Sequence, residues 1–303
     1  MKYLVIGAGG TGGPIGAYMA RAGKDVTLIA RGEHLKKIQE SGLMMDTPEG
    51  IYSVPVKACD MEHYRENPDV IFVCVKAYSL DAIVLFMQSI IHENTVIIPI
   101  LNVYGTGERL QKSFAKNLVT DGCIYIAGEI KEPGCIWLNG TIFRIVFGAR
   151  TEEEYCSILE DVKKDLDESG IEGALTHQVK RDTMKKYSYI ASAAACGEYY
   201  HAAAGAMQKP GEIRDTFAAL LGEIGLLSHA MGIEFDIDIV QTNLDILDSL
   251  APTASTSMQR DVAKGKVSEM DGLVFNVLRM ADQYKVTLPT FEKIAAELKR
   301  RGF

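Results

Sequence analysis

The 303-residue sequence lacks the marks of several large protein classes. Its six cysteines (Cys59, Cys74, Cys123, Cys135, Cys156, Cys196) are scattered and form no CxxC pair. That leaves no zinc framework and suits a reducing compartment. The six histidines form neither HExxH nor HxH, so no protein-bound metal is expected. No segment approaches the roughly 20 apolar residues that span a bilayer, and the apolar stretch before Gly7 is too brief for a signal peptide. A cytoplasmic location with no membrane partner is the expectation. Basic residues are in the minority, 32 Lys and Arg against 40 Asp and Glu, for a formal charge of −8. Nucleic-acid binding needs clustered basic charge, so no nucleic-acid partner is expected, although a local basic pocket could still hold a small anion. Repeats and low-complexity linkers are absent too.

What is present reads as an ordinary globular chain, 47% apolar and 24% charged, long enough for two cores. Tyr3 to Ile6 predicts a buried strand running into Gly7-Ala8-Gly9-Gly10-Thr11-Gly12-Gly13, and a helix from Ile15 to Ala22 follows Pro14. Further strands are predicted at Asp25–Ala30, Val70–Val75 and Thr95–Ile100. Helices are predicted at Glu33–Glu40, at about Ser79–Ile91 and from Thr106, and a hairpin turn at Asp46–Gly50. This alternation predicts a doubly wound parallel sheet. Strands at Leu118–Ala127 and Cys135–Phe147, a helix at Glu152–Glu168 and a strand at Ile171–Leu175 complete an N-terminal α/β domain, residues 1–177. Residues 178–303 show helical periodicity alone. Small helix formers fill Ser188–Ala195 and Ala202–Met207, and further helices are predicted at Glu212–Ala230, Ile237–Leu250, Thr256–Lys264, Val267–Tyr284 and Thr290–Arg300. A cleft between the two domains is the default ligand site.

Gly7-x-Gly9-x-x-Gly12 is a weak signal by spacing alone, but here a strand precedes it and a helix and second strand follow. In that context Gly7, Ala8, Gly9, Gly10, Thr11 and Gly12 form a turn whose amides meet a dinucleotide pyrophosphate at a helix N-terminus. The bland alternative is a strand-turn-helix connection with no ligand. The second strand ends in Ala30-Arg31-Gly32 instead of the acid that would bind a free ribose hydroxyl. Arg31 is therefore read as a partner for a 2′-phosphate, which selects NADPH/NADP, unless it is a solvated charge opening a surface helix.

With these residues in place, the sequence resembles the ketopantoate reductase (2-dehydropantoate 2-reductase) family of the 6-phosphogluconate-dehydrogenase-like superfamily, over nearly its whole length. The resemblance rests on GAGGTGGPIG, LIARG, VCVKA, LNVYG, the helix carrying MKKYSY, and the pair SMQRD and SEMDG. It implies a Rossmann domain followed by an all-helical domain. The implied reaction is NADPH-dependent reduction of a 2-oxo acid to a 2-hydroxy acid, above all ketopantoate to pantoate in pantothenate biosynthesis. By motif, the general acid falls on Lys186 and its carboxylate partner on Glu269. Asn102 and Ser257 fall on substrate-binding positions, and Lys76, Asn102 and Glu269 on cofactor-side positions. The residue chemistry is coherent, because a ketone oxygen gaining negative charge calls for an ammonium that stabilises it and supplies the proton.

Each residue also has an ordinary reading. Lys186 is one of several basic residues heading a helix with Ile190 and Ala193 on its face; Asn102 suits a turn and Lys76 a helix start. Ser257 suits a helix cap and Glu269 a first helical turn.

The sequence also departs from the family pattern. Ile190 and Ala194 stand where asparagines are expected, Val103 replaces a glycine, and Val274-Phe275 replace Asn-Gly. The stretch from Cys196 to Pro210 is several residues longer than usual. Apolar bulk for hydrogen-bonding groups predicts a close second substrate, a bulkier or more apolar 2-oxo acid. A non-catalytic NADPH-binding redox sensor is the rival from another class. For assembly, the helical domain offers a possible homodimer face, though no residue pattern marks one.

Overall fold

The computed structural model describes residues 1–303, which divide into two compact units. One comprises Met1–Leu101 with Gly105–Val179, and the other Asn102–Tyr104 with Lys180–Phe303. No helix is long and apolar enough to cross a membrane.

The first unit begins β1 (Lys2–Ile6), α1 (Gly12–Arg21), β2 (Asp25–Ile29), α2 (Gly32–Ser41), β3 (Leu43–Thr47), β4 (Gly50–Val54), β5 (Lys57–Cys59), β6 (Val70–Val73), α3 (Leu80–Ile90) and β7 (Val96–Pro99). It continues α4 (Thr106–Gln111), β8 (Asp121–Tyr125), β9 (Gly128–Glu132), β10 (Cys135–Leu138), β11 (Arg144–Gly148), α5 (Ile158–Glu168) and β12 (Glu172–Leu175). Its central sheet runs β5-β2-β1-β6-β7, every pair parallel. All four residues of β6 and of β7 are buried, as expected of strands covered on both faces and therefore apolar without alternation. Under the start of this sheet the Tyr3 hydroxyl donates to Asp165 Oδ2 at 2.6 Å and Lys24 Nζ to Asp165 Oδ1 at 2.7 Å, which fastens α5 in place.

The parallel sheet takes only part of the strand content. A second sheet, β4-β3-β10-β9, and a third, β12-β11-β8, are mixed. The predicted strand Cys135–Phe147 is two strands, β10 and β11, in different sheets, separated around Gly140 with its φ of +97°. The predicted helix Glu152–Glu168 is broken as well: Glu152–Glu154 form one 3-10 turn and α5 starts at Ile158. Strands β5 and β9 lie outside the predicted elements.

The second unit has no strand. It contains α6 (Val179–Tyr199), α7 (Ala204–Met207), α8 (Glu212–Ala230), α9 (Ile239–Ser249), α10 (Ser257–Ala263), one π-helical turn at Asp271–Phe275, α11 (Asn276–Tyr284) and α12 (Pro289–Arg300). Its core gathers on the small residues of α6, with Ala191, Ala193, Ala194 and Ala195 all buried. Gly197 continues that face; a Cβ there would stand 2.6 Å from the Gln259 amide, which reaches past it to the Ala202 carbonyl. Buried Glu223 of α8 accepts from the backbone N–H groups of Thr290 and Phe291 at 2.6 and 3.0 Å, capping α12 from a neighbouring helix.

Lys186 does not head its helix; α6 begins at Val179, so the lysine lies about two turns inside. The helix predicted from Val267 to Tyr284 instead begins at Asp271 with the π turn and becomes regular at Asn276. A π turn displaces carbonyls from the usual ladder, and the buried Tyr187 hydroxyl satisfies one by donating to Gly272 O at 2.9 Å.

Candidate functional site

The glycine turn follows β1, and its three motif glycines meet three different requirements. Gly7 has a φ of +104°, and a Cβ there would lie 3.0 Å from the Cys74 carbonyl oxygen. Gly12 opens α1 so close to the strand that a Cβ would lie 2.1 Å from Gly7 O. At Gly9 a Cβ would meet nothing within 4 Å, so that face of the turn is open. The Gly13 N–H closes the turn on Gly9 O at 2.8 Å, and Thr11 takes the N-cap position of α1 without using its side chain as a cap. Tight where strand meets helix and bare at Gly9, the turn fits the approach of a dinucleotide pyrophosphate to a helix N-terminus. Ala8 is buried in it, and Gly10 is pressed against Gly128: a Cβ on Gly10 would lie 2.1 Å from Gly128 O.

Arg31 is exposed at the N-cap position of α2, two residues beyond β2, between Ala30 and Gly32. Lys76 lies three residues past the end of β6 and leads into a 3-10 turn at Ala77–Ser79. Both follow the C-terminal ends of parallel strands that flank β1, the edge at which doubly wound sheets take ligands.

In the second unit the structure brings two of the predicted residues together. Lys186, half-buried on α6, donates from Nζ to Asn102 Oδ1 at 2.9 Å. Although Asn102 follows β7 in the chain, the segment Asn102–Tyr104 belongs to the helical unit, where Val103 and Tyr104 pack on its apolar core and the Tyr104 and Tyr187 rings lie 5.9 Å apart. Lys185 points elsewhere, with its Nζ 2.5 Å from Asp236 Oδ1 and 3.6 Å from Asp182 Oδ1.

Ser257 is the first residue of α10 but not its cap. Thr256 is the cap, accepting from Gln259 N–H at 3.2 Å while the Gln259 side chain accepts from Thr256 N–H at 3.0 Å. Glu269 is 3% exposed and leads into the π turn, its backbone carbonyl accepting from Leu273 N–H; that is not the setting of a solvated first-turn acid. Ile190 is half-buried against the core, while Ala194 and Val274 are fully buried within it. Asn243 does not replace the missing asparagines. Its amide donates to Ser188 Oγ at 2.9 Å, and Ser188 lies about 200° around α6 from Lys186. Sequence reasoning missed the contacts that shape these segments, Gly10 on Gly128 and Tyr187 on Gly272, because each depends on a backbone group that carries no residue signature.

Comparison with known proteins agrees with this architecture. The family described as "Ketopantoate reductase PanE/ApbA" matches residues 3–152, and its C-terminal counterpart matches residues 178–302. An uncharacterized oxidoreductase, YkpB of Bacillus subtilis (strain 168), is 29% identical over 99% of this chain and 98% of its own. The 2-dehydropantoate 2-reductase of Pyrococcus horikoshii is 24% identical over 95% of this chain and 93% of its own. A crystal structure of a PanE/ApbA family ketopantoate reductase from Ralstonia eutropha JMP134 superposes with a TM-score of 0.89 at 22% identity, covering 99% of this chain and 97% of that one. The fold and these matches define a nicotinamide-dependent oxidoreductase. Within that class, the chain belongs to the ketopantoate reductase family.

Proposed function

We propose that this oxidoreductase uses NADPH to reduce a 2-oxo acid to the 2-hydroxy acid, with ketopantoate as the leading substrate. The observation that carries the proposal is the Lys186–Asn102 hydrogen bond, which fixes an ammonium on a half-buried helix face. The nicotinamide would supply a hydride to the ketone carbon. Lys186 then stabilises the negative charge building on the ketone oxygen and donates the proton, while Asn102 Oδ1 aims the ammonium. Ser257, whose hydroxyl is not needed for helix capping, binds the substrate, and buried Glu269 holds both substrate and cofactor in register. On the nucleotide side, Gly7 to Gly12 take the pyrophosphate, Arg31 pairs with the 2′-phosphate and Lys76 lies beside the cofactor. In this reading the first unit is the nucleotide-binding domain and the second the substrate domain, of a cytoplasmic enzyme.

A second substrate reading has specific support. Ile190 and Val103 add half-buried apolar surface on the helix of Lys186 and beside Asn102, which favours a bulkier or more apolar 2-oxo acid. Absorbance measurement of NADPH oxidation across a panel of 2-oxo acids tests both readings. Turnover with ketopantoate or a less polar relative is expected, and no turnover with any 2-oxo acid would refute the reaction class.

A further inference from the structure

His34, on the first turns of α2, is placed against the nucleotide turn by two hydrogen bonds. Its Nδ1 is 3.0 Å from the Gly134 backbone nitrogen and its Nε2 is 2.8 Å from Ala8 O. A backbone N–H can only donate, so Nδ1 is the acceptor; the ring proton must then sit on Nε2, which donates to the Ala8 carbonyl. The tautomer of a neutral imidazole is thereby fixed.

The groups it joins matter for the turn. Ala8 O and Gly9 N–H belong to one planar trans peptide and point in opposite directions, so holding the carbonyl fixes the amide as well. Gly9 is also where the turn is bare. On the other side, Gly134 has a φ of +80° and forms the turn between β9 and β10. Its carbonyl accepts from Met44 N–H at 2.8 Å, and a Cβ on it would lie 2.5 Å from Lys37 Cβ, so this hairpin end rests on α2. The other end of β9 begins at Gly128, already in backbone contact with Gly10. The hairpin therefore meets the glycine turn twice, directly at Gly10 and through His34 at Ala8.

We propose that His34 is a positioning residue for the dinucleotide, a neutral Nε2-protonated imidazole that orients the Ala8–Gly9 peptide toward the pyrophosphate. The assignment rests on the nucleotide-binding reading above. Acid should undo it, because an imidazolium has no lone pair to accept from Gly134. Partial burial lowers the ring's pKa from its ordinary value, and the Ala8 carbonyl opposes this only in part, so the neutral form is held to lower pH and the bond is lost as pH falls further. The nearby ionisable groups are mostly engaged elsewhere. On α2, Lys37 pairs with Glu40 and Lys36 with Glu33; on the hairpin, Lys131 is bonded to Asp46, and the other ionisable groups of these elements are Arg31, Glu129, Glu132 and the Cys135 thiol. The Gly7–Gly13 turn has no ionisable side chain.

The test has a spectroscopic arm and a binding arm. Long-range ¹H–¹⁵N spectra of the ligand-free protein should show His34 as the Nε2–H tautomer, charging at lower pH than an ordinary imidazole. NADPH titration should show His34→Phe weakening the dissociation constant about five- to tenfold with kcat little changed, the scale of one lost hydrogen bond. His34→Gln, whose amide can both donate and accept, should recover most of that affinity and remove the acid-side loss of binding. The Nδ1–H tautomer, or undiminished NADPH affinity in His34→Phe, would overturn the assignment. If His34→Phe fails to fold, the tautomer and the Gln variant still decide. An unmodified protein with the expected tautomer but no NADPH binding would overturn the nucleotide reading instead, and this role with it.

Discussion

Val103 occupies the space that a side chain on Gly272 would need: a Cβ built there would lie 2.4 Å from Val103 Cγ2. The segment carrying Asn102 is thus seated on the π turn that follows Glu269, and the bulk of the valine is accommodated by the glycine opposite. Gly272→Ala should destabilise the protein by about 1–3 kcal/mol, the usual cost of overpacking, and should lower kcat by shifting Asn102 off Lys186. Val103→Ala in the same chain should restore both. Melting temperature and kcat for the two single variants and the double variant check the coupling; strictly additive losses would show that the contact is incidental.

Lys186→Ala should cost about 10²- to 10⁴-fold in kcat/KM, the range of general-acid catalysis, and leave NADPH affinity nearly unchanged. Lys185→Ala is the internal control, since its ammonium is engaged with Asp236 and Asp182. It should retain nearly full rate and lose at most a small amount of stability. Equal damage from the two variants in steady-state assays would remove Lys186 from the acid role.

Gly9→Val separates folding from binding. Because a Cβ at Gly9 meets nothing within 4 Å, the variant should melt close to the unmodified protein. Its side chain should nevertheless hold the pyrophosphate away from the amides and weaken NADPH by about tenfold or more, the scale of losing charged hydrogen bonds. Arg31→Ala should narrow the preference for NADPH over NADH, mainly by weakening NADPH. Undiminished nucleotide binding by Gly9→Val in fluorescence titration would make the turn purely structural.

The two apolar substitutions on α6 should behave differently. Ile190 is half-buried, so Ile190→Asn should fold and shift kcat/KM toward ketopantoate relative to less polar 2-oxo acids. Ala194 is fully buried in the helical core, and Ala194→Asn should cost about 1–3 kcal/mol for burying an amide without partners. Substrate profiles and melting curves of the two variants decide. A substrate ratio unmoved by Ile190→Asn would place specificity elsewhere.

The parts of this protein legible in the sequence are those where burial and backbone geometry act on runs of residues. β1, β6 and β7 are covered on both faces and read as continuous apolar runs, and Gly7 to Gly13 punctuate the chain where strand becomes helix. Illegible elements lacked such a signal. β9 carries the polar GEIKE on an exposed edge. β10 and β11 look continuous because only a short turn around Gly140 divides two apolar stretches. The charged start of α6 reads as a lead-in, although charged residues propagate a helix well. At the site, motif order indicated Lys186 and Asn102, but only folding shows that they touch. The role of His34 was hidden because both its partners are backbone groups.

The placement of Asn102–Tyr104 in the second unit makes the chain's modularity deceptive. A cut near residue 178 looks like a clean boundary, yet a fragment beginning there carries Lys186 without the Asn102 amide oxygen it donates to and Gly272 without the valine that covers it. Three residues spliced between β7 and α4 are on loan to the helical unit. Any swap of N-terminal halves between relatives would therefore also exchange residues 102–104, so the segment bonded to Lys186 and the glycine turn pass together through a single crossover at that boundary.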